Sequence, residues 1–318
     1  MNWQNLIEQQ THLSSNSADE GQKQLLPLPG ISLIQVAGEE AASFLQNLLT
    51  NDVNALAVNQ AQLSGFCNPK GRLLAIFRLI RREQDFLIAL PQALAEAITQ
   101  RLTMFKLRSK VDISLLDDEH VFGLLADDAA LGAENNWQGK AVDEGLLITQ
   151  PGEQPRYLMI ADEAGSKALA GWLEQDWQLG TEAAWQLNDI KAGLPMILNE
   201  TRESFTPQQV NLDLVDGVSF KKGCYPGQEV VARLHYLGSP SRRLFLGRIH
   251  DSVLPAANTP VIGENGETLG HLVQAQFAAD QEIICQLTMK LSGLKKAAML
   301  AGNEVQSIAA LAEEPAAD

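Results

Sequence analysis

Cysteine is scarce: 318 residues contain only Cys67, Cys224 and Cys285, and no two of them form a CxxC pair. So sparse and odd a count excludes a disulfide framework and a self-contained cysteine metal site, and it fits a reducing compartment. Long apolar runs are also missing. The longest, 73–77 and 121–126, fall far below the roughly 18 residues of a membrane span, so no membrane partner is expected. The N-terminal stretch is polar and shows no basic start followed by an apolar run. No secretory signal is visible, and a cytoplasmic location is expected. Positive charge is in deficit, with 24 Lys and Arg against 39 Asp and Glu and a net charge of −15. That balance excludes non-specific coating of nucleic acid. No Ser/His/Asp order, Walker loop or dinucleotide fingerprint is present.

What is present is globular. Hydrophobic residues make up 45% and charged residues 20%, and the length suits two or three domains. The charge is unevenly spread. Residues 68–110 carry a local +6 and residues 218–250 a local +5. If the fold joined these islands they would form an anion-binding surface; otherwise they are solvated faces.

Periodicity predicts strands at 32–36, 62–67, 72–80, 86–90 and 111–115, with amphipathic helices at 38–50 and from Pro91 to 105. Strands at 120–125, 145–149 and 156–160 follow, then helices at 162–177 and 181–193. The strand–helix–strand–strand–helix–strand order predicts an α+β layer of ferredoxin type, with a hint of duplication. After 241, short strands alternate with Gly/Pro/Asn turns, as in a small all-β barrel or sandwich. The expected organisation is a flexible lead-in (1–24), a first α+β lobe (25–115), a second (116–240), the barrel (241–308) and a loose tail (309–318).

The chemistry concentrates in Lys222-Gly223-Cys224-Tyr225-Pro226-Gly227-Gln228-Glu229. Pro226 is read as the first residue of a helix whose inner turns span 228–234. That places Cys224 just before a helix N-terminus, with Lys221 and Lys222 beside it, features that favour a thiolate. Gly223 and Gly227 permit tight turns. The competing reading is a small buried cysteine with exposed lysines. Cys67 reads as a strand residue and His235 as a helix cap. Trp172, Trp177 and Trp185 are spaced for helix packing.

This segment resembles the signature K-G-C-[FY]-x-G-Q-E of the YgfZ family, folate-binding, tRNA-modification-associated proteins related to the glycine-cleavage T-protein aminomethyltransferase. Phe44-Leu45-Gln46 with Leu49-Thr50-Asn51-Asp52-Val53 fits as well, as do Cys67-Asn68-Pro69-Lys70-Gly71-Arg72 and Thr206-Pro207-Gln208 with Asn211-Leu212. The resemblance spans about residues 30–290. It implies pseudo-symmetric α+β repeats around a central opening with a C-terminal β-barrel. It implies support of iron–sulfur enzymes, including those that thiolate tRNA, and tetrahydrofolate as ligand. Its essential cysteine falls on Cys224, with Lys222 as basic neighbour, and its retained aromatic platform falls on Trp185.

Four positions depart from the pattern. Where aminomethyltransferases carry an Asp pair, this chain has Leu74 and Ala75, so the proton-transfer agent of that reaction is missing. A pterin-binding glutamate is replaced by Lys191, which has no acceptor. A flanking aromatic falls at Ile31. The expected function is therefore a helper acting through Cys224, without aminomethyltransferase activity. A folate-dependent one-carbon transferase and an RNA-binding module built on the basic islands are the alternatives. Phe66, Phe77 and Phe86 read as strand core, and Tyr225 and Tyr236 are few for base stacking.

Overall fold

The structure, a computed structural model, describes residues 2–13, 22–126, 131–133 and 135–311. The chain opens with α1 (Trp3–Gln10), β1 (Lys23–Pro27), β2 (Ile31–Ala37), α2 (Ala41–Gln46), β3 (Gln60–Cys67), β4 (Leu73–Arg81), β5 (Asp85–Pro91), α3 (Gln92–Lys106) and β6 (Asp112–Leu116). It continues through β7 (Glu119–Leu125), β8 (Gly139–Val142), β9 (Gly145–Gln150), β10 (Arg156–Asp162), α4 (Glu163–Trp172), β11 (Trp177–Leu179) and α5 (Glu182–Lys191). After two 3-10 turns come α6 (Gln228–Leu237), β12 (Arg242–His250), β13 (Pro260–Gly263), β14 (Thr268–Ala279), β15 (Glu282–Lys290), β16 (Ala298–Leu300), β17 (Asn303–Glu304) and β18 (Gln306–Ala310).

Two compact units divide the chain. Unit one holds residues 1–44, 54–62 and 78–188. Its six-stranded sheet runs β11-β1-β7-β10-β9-β8. Alternate residues of β7 and β10 feed different cores. Val121, Leu125, Leu158 and Ile160 join one cluster with Leu33 and Leu87, while Phe122, Leu124, Tyr157 and Met159 join another with Leu6 of α1 and Leu169 of α4. Burial on both faces explains why these strands read as unbroken apolar runs. The five-stranded sheet has order β3-β4-β5-β2-β6, with antiparallel pairing where β2 meets β5 and β6.

Unit two holds residues 45–53, 63–77 and 189–318. Its seven-stranded sheet has order β17-β16-β13-β14-β15-β12-β18. The ladder ends in two edges, so the expected β-barrel is an open, curled half-barrel. Register shifts at 246–248, 261–262 and 272–274 supply the curl. Ile249, Leu272, Ile283, Cys285 and Leu287 fill its core. Buried Gln286 and Gln274 donate to the carbonyl of Leu194, tying the sheet to the segment after α5.

Several expectations are corrected. The lead-in contains α1, whose Leu6 is fully buried, and β1 pairs with β7 and β11. The helix expected over 38–50 is only α2, because residues 47–50 turn back and Leu49 bridges Phe66. The helix expected over 162–177 ends at Trp172, and Trp177 begins a strand drawn parallel to β1. The two α+β sheets do not establish a repeat. The second inserts β1 and has no helix between β7 and β9 among the described residues. Most of the expected loose tail lies outside the described residues.

Candidate functional site

Three anchors in unit two hold the loop that carries Cys224. The first is Lys222, only 8% exposed. Its Nζ donates to the carbonyls of Gln46 and Leu49, at the end of α2. Helix C-terminal carbonyls lack intrahelical donors and favour a cation. Burial lowers this ammonium from the ordinary 10.5 to about 8, with the Asp52 charge opposing. The second anchor is the buried Tyr225, whose ring lies 5.1 Å from Lys222 Nζ. Burial, and then the Cys67 thiol, push its phenol up.

The third anchor is a turn. Gln228 N–H donates to Tyr225 O at 3.1 Å, and Gly227 sits at φ 81°, ψ 1°. A proline second and a left-handed glycine third make this a type II turn. Pro226 therefore precedes α6 instead of opening it, Gly227 is the helix cap, and α6 runs on to Leu237. Cys224 is separated from the helix end by this turn. A Cβ on Gly227 would lie 2.6 Å from both Asn68 O and the Gly71 Cα. Gly71 itself has φ 70°. The Tyr225–Gln228 turn thus meets the Asn68–Gly71 turn backbone to backbone. Asn68 Oδ1 accepts from the N–H groups of Lys70 and Arg72 at 2.9 and 3.0 Å, which stiffens the second turn.

Pinned on these sides, Cys224 is nevertheless exposed, whereas Cys67 and Cys285 are buried. Burial pushes each of those two thiols up to about 12. Cys67 is a strand residue of β3, as its sequence context implies.

The other segments of the resemblance converge on the same unit. Thr50 Oγ1 donates to Gly217 O and accepts from Gly65 N–H, both at 2.7 Å. Asn51 Nδ2 donates to Leu63 O and Asp216 O. Gln208, fully buried, donates from Nε2 to Val231 O in α6 at 2.7 Å. Arg72 Nη1 donates to Ser204 O at 2.7 Å. His235 does not cap α6. Its ring stacks on Phe220 with centroids 3.6 Å apart.

Trp185 lies in unit one and is 1% exposed. The guanidiniums of Arg156 and Arg78 lie 4.9 and 5.8 Å from its ring centroid. Gly123 leaves room for the indole, since a Cβ there would come within 2.4 Å of it. No ring face is open for a pterin to stack on. Lys191 is exposed at the end of α5, and Leu74 and Ala75 are buried apolar residues of β4. None of Lys191, Leu74 and Ala75 offers a pterin a side-chain acceptor.

Part of each basic island is paired with acidic side chains, some of them at the surface. Arg82 pairs with Asp85 and Glu119, Lys106 with Asp112, Lys110 with Glu39, Arg243 with Asp213 and Arg248 with Glu282. Arg78 is buried and donates to Gln150.

The architecture as a whole is that of the glycine-cleavage aminomethyltransferases. The solved aminomethyltransferase T of the glycine cleavage system from Bartonella henselae superposes with a TM-score of 0.70, covering 94% of this chain and 86% of that one at 17% identity. No family model matches the chain. Curated relatives do. The tRNA-modifying protein YgfZ of Colwellia psychrerythraea is 32% identical over 285 residues, 85% of this chain and 86% of the relative. That of Edwardsiella ictaluri is 33% identical over 271 residues, 80% and 81%, and that of Escherichia coli strain SE11 is 30% identical over 276 residues, 83% and 85%. The chain belongs to the YgfZ family of tRNA-modifying proteins.

Proposed function

We propose that the protein supports tRNA modification as a helper, presenting the Cys224 thiol to an iron–sulfur centre of a tRNA-modifying client enzyme. One observation carries this reading: of three thiols, Cys224 alone is exposed, on a loop fixed from several directions. Such pre-organisation positions a reactive group without burying it. A deprotonated Cys224 supplies one sulfur ligand. A cluster normally takes four, so the client contributes the rest. Lys222 acts in this reading as a positioning residue, because its ammonium engages the α2 carbonyls.

The one-carbon transferase reading is not favoured, since Leu74 and Ala75 place apolar side chains where that chemistry needs a carboxylate. If a folate binds, it does so without an open Trp185 platform. Calorimetric titration with tetrahydrofolate decides this, and an absence of binding heat removes the ligand from the account.

The central test is Cys224→Ala as a cell's only copy. The variant is expected to fold with an unchanged melting temperature and to abolish tRNA thiolation. Normal thiolation would refute the thiol's role.

A further inference from the structure

α6 has ten residues and buries only Val231. Val230, Leu234 and Leu237 stand at i, i+4 and i+7, one apolar stripe on a helix. In a helix that packs by its apolar face, such a stripe is covered. Here Leu237 is 83% exposed and the neighbouring Tyr236 63%, while Val230, beside Gly71, is 44% exposed and Leu234 is half-buried. The stripe is also not what holds the helix. Gln208 clamps its middle, and Tyr236 Oη donates to Phe220 O at 3.2 Å at its end. The helix is fixed while the Tyr236–Leu237 end of its apolar edge faces solvent.

The charge beside the stripe has a positive excess. Arg233 and Lys221 are exposed and make no ion pair among the described residues. Glu229 is the only acidic residue of the helix. In a chain of net charge −15, this is a local positive rim that orients an acidic partner.

We propose that the outer face of α6 is a docking surface for a protein partner presenting an apolar groove with an acidic rim. The mode is a helix laid into a groove, with Leu237 and Tyr236 as anchors. The inference rests on the thiol reading above, and the partner is then the client that Cys224 serves. The helix follows Cys224 after a single fixed turn, so docking sets where the thiol meets the client. Apolar side chains at three stripe positions favour protein over RNA, which is held by cations and open ring faces. One face of His235 is already covered by Phe220.

The test uses full-length Leu237→Asp and Arg233→Glu, with Leu237→Met as the conservative control. Both residues are exposed, so melting temperatures should stay within about 2 °C of wild type. Cys224 alkylation by iodoacetamide should stay within about twofold, because neither side chain anchors the loop. Thiolated tRNA in cells carrying only Leu237→Asp or Arg233→Glu should fall at least about tenfold, as loss of a docking anchor implies, while Leu237→Met retains it. Normal thiolation in both variants, with Cys224→Ala inactive, would overturn the docking surface and leave the thiol reading standing. Normal thiolation in Cys224→Ala would overturn both. Salt-dependent binding of a labelled single-stranded RNA of about 12 nucleotides, abolished by Arg233→Glu, would assign the face to RNA and overturn the protein partner.

Discussion

Replacing Lys222 by methionine keeps most of the apolar stem and removes its charge and its donors. The carbonyls of Gln46 and Leu49 then lose the Nζ bonds that close α2. A hydrogen bond to a charged group contributes about 1.5–3 kcal/mol, and the buried ammonium's own desolvation offsets part of two such bonds. A net loss of about 2–3 kcal/mol remains. For a domain of this size each kcal/mol moves the melting temperature by about 2–4 °C, so thermal denaturation at pH 7 should show a drop of about 4–12 °C. The pH dependence is the sharper test. Unfolded Lys222 holds its proton up to 10.5, and the folded group releases it at about 8. Between these values the unfolded chain binds more protons, so this group's contribution to stability is fully present above 10.5 and is lost as pH falls through about 8. Melts of wild type and Lys222→Met at pH 7 through 10.5 should therefore diverge as pH rises. A drop below about 1 °C at pH 7, or a gap constant across that window, would refute the assignment of Lys222 to the end of α2.

Gly227→Ala should destabilise by about 3–5 kcal/mol. A left-handed alanine costs about 1–3, and its Cβ must also push Asn68 O and Gly71 aside. Urea denaturation checks this, and a loss under about 1 kcal/mol would show that the two turns do not press together. Trp185→Ala should cost about 3–5 kcal/mol as a core truncation, with an unchanged m-value. Weakened tetrahydrofolate binding without that destabilisation would instead make Trp185 a ligand platform.

Much of the strand content was legible because β4, β5, β7 and β10 carry strong, local apolar patterns. The partner of β1 was not. Residues 23–27 pair with residues about a hundred and more positions away, at Leu125 and Trp177, and no local pattern encodes that. The same pairing draws Trp177 out of its expected helix. At the site, the motif singled out Cys224, but it did not encode the direction of the Lys222 side chain. Whether an ammonium faces a neighbouring thiol or a distant helix end is settled by tertiary packing. One signal was available and misread. Tyr225-Pro226-Gly227-Gln228 has proline and glycine in the positions of a type II turn, and that reading competes with proline as a first helical residue.

The contact between Gly71 and Gly227 also determines what the thiol responds to. With no side chain between the two turns, no rotamer can absorb a displacement of either. A shift of the β3–β4 hairpin tip therefore meets the backbone of the Cys224 loop directly. Pro69 and Lys70, exposed at that tip, are thus a remote handle on the sulfur's position. Whatever grips them would press on that loop without touching the thiol.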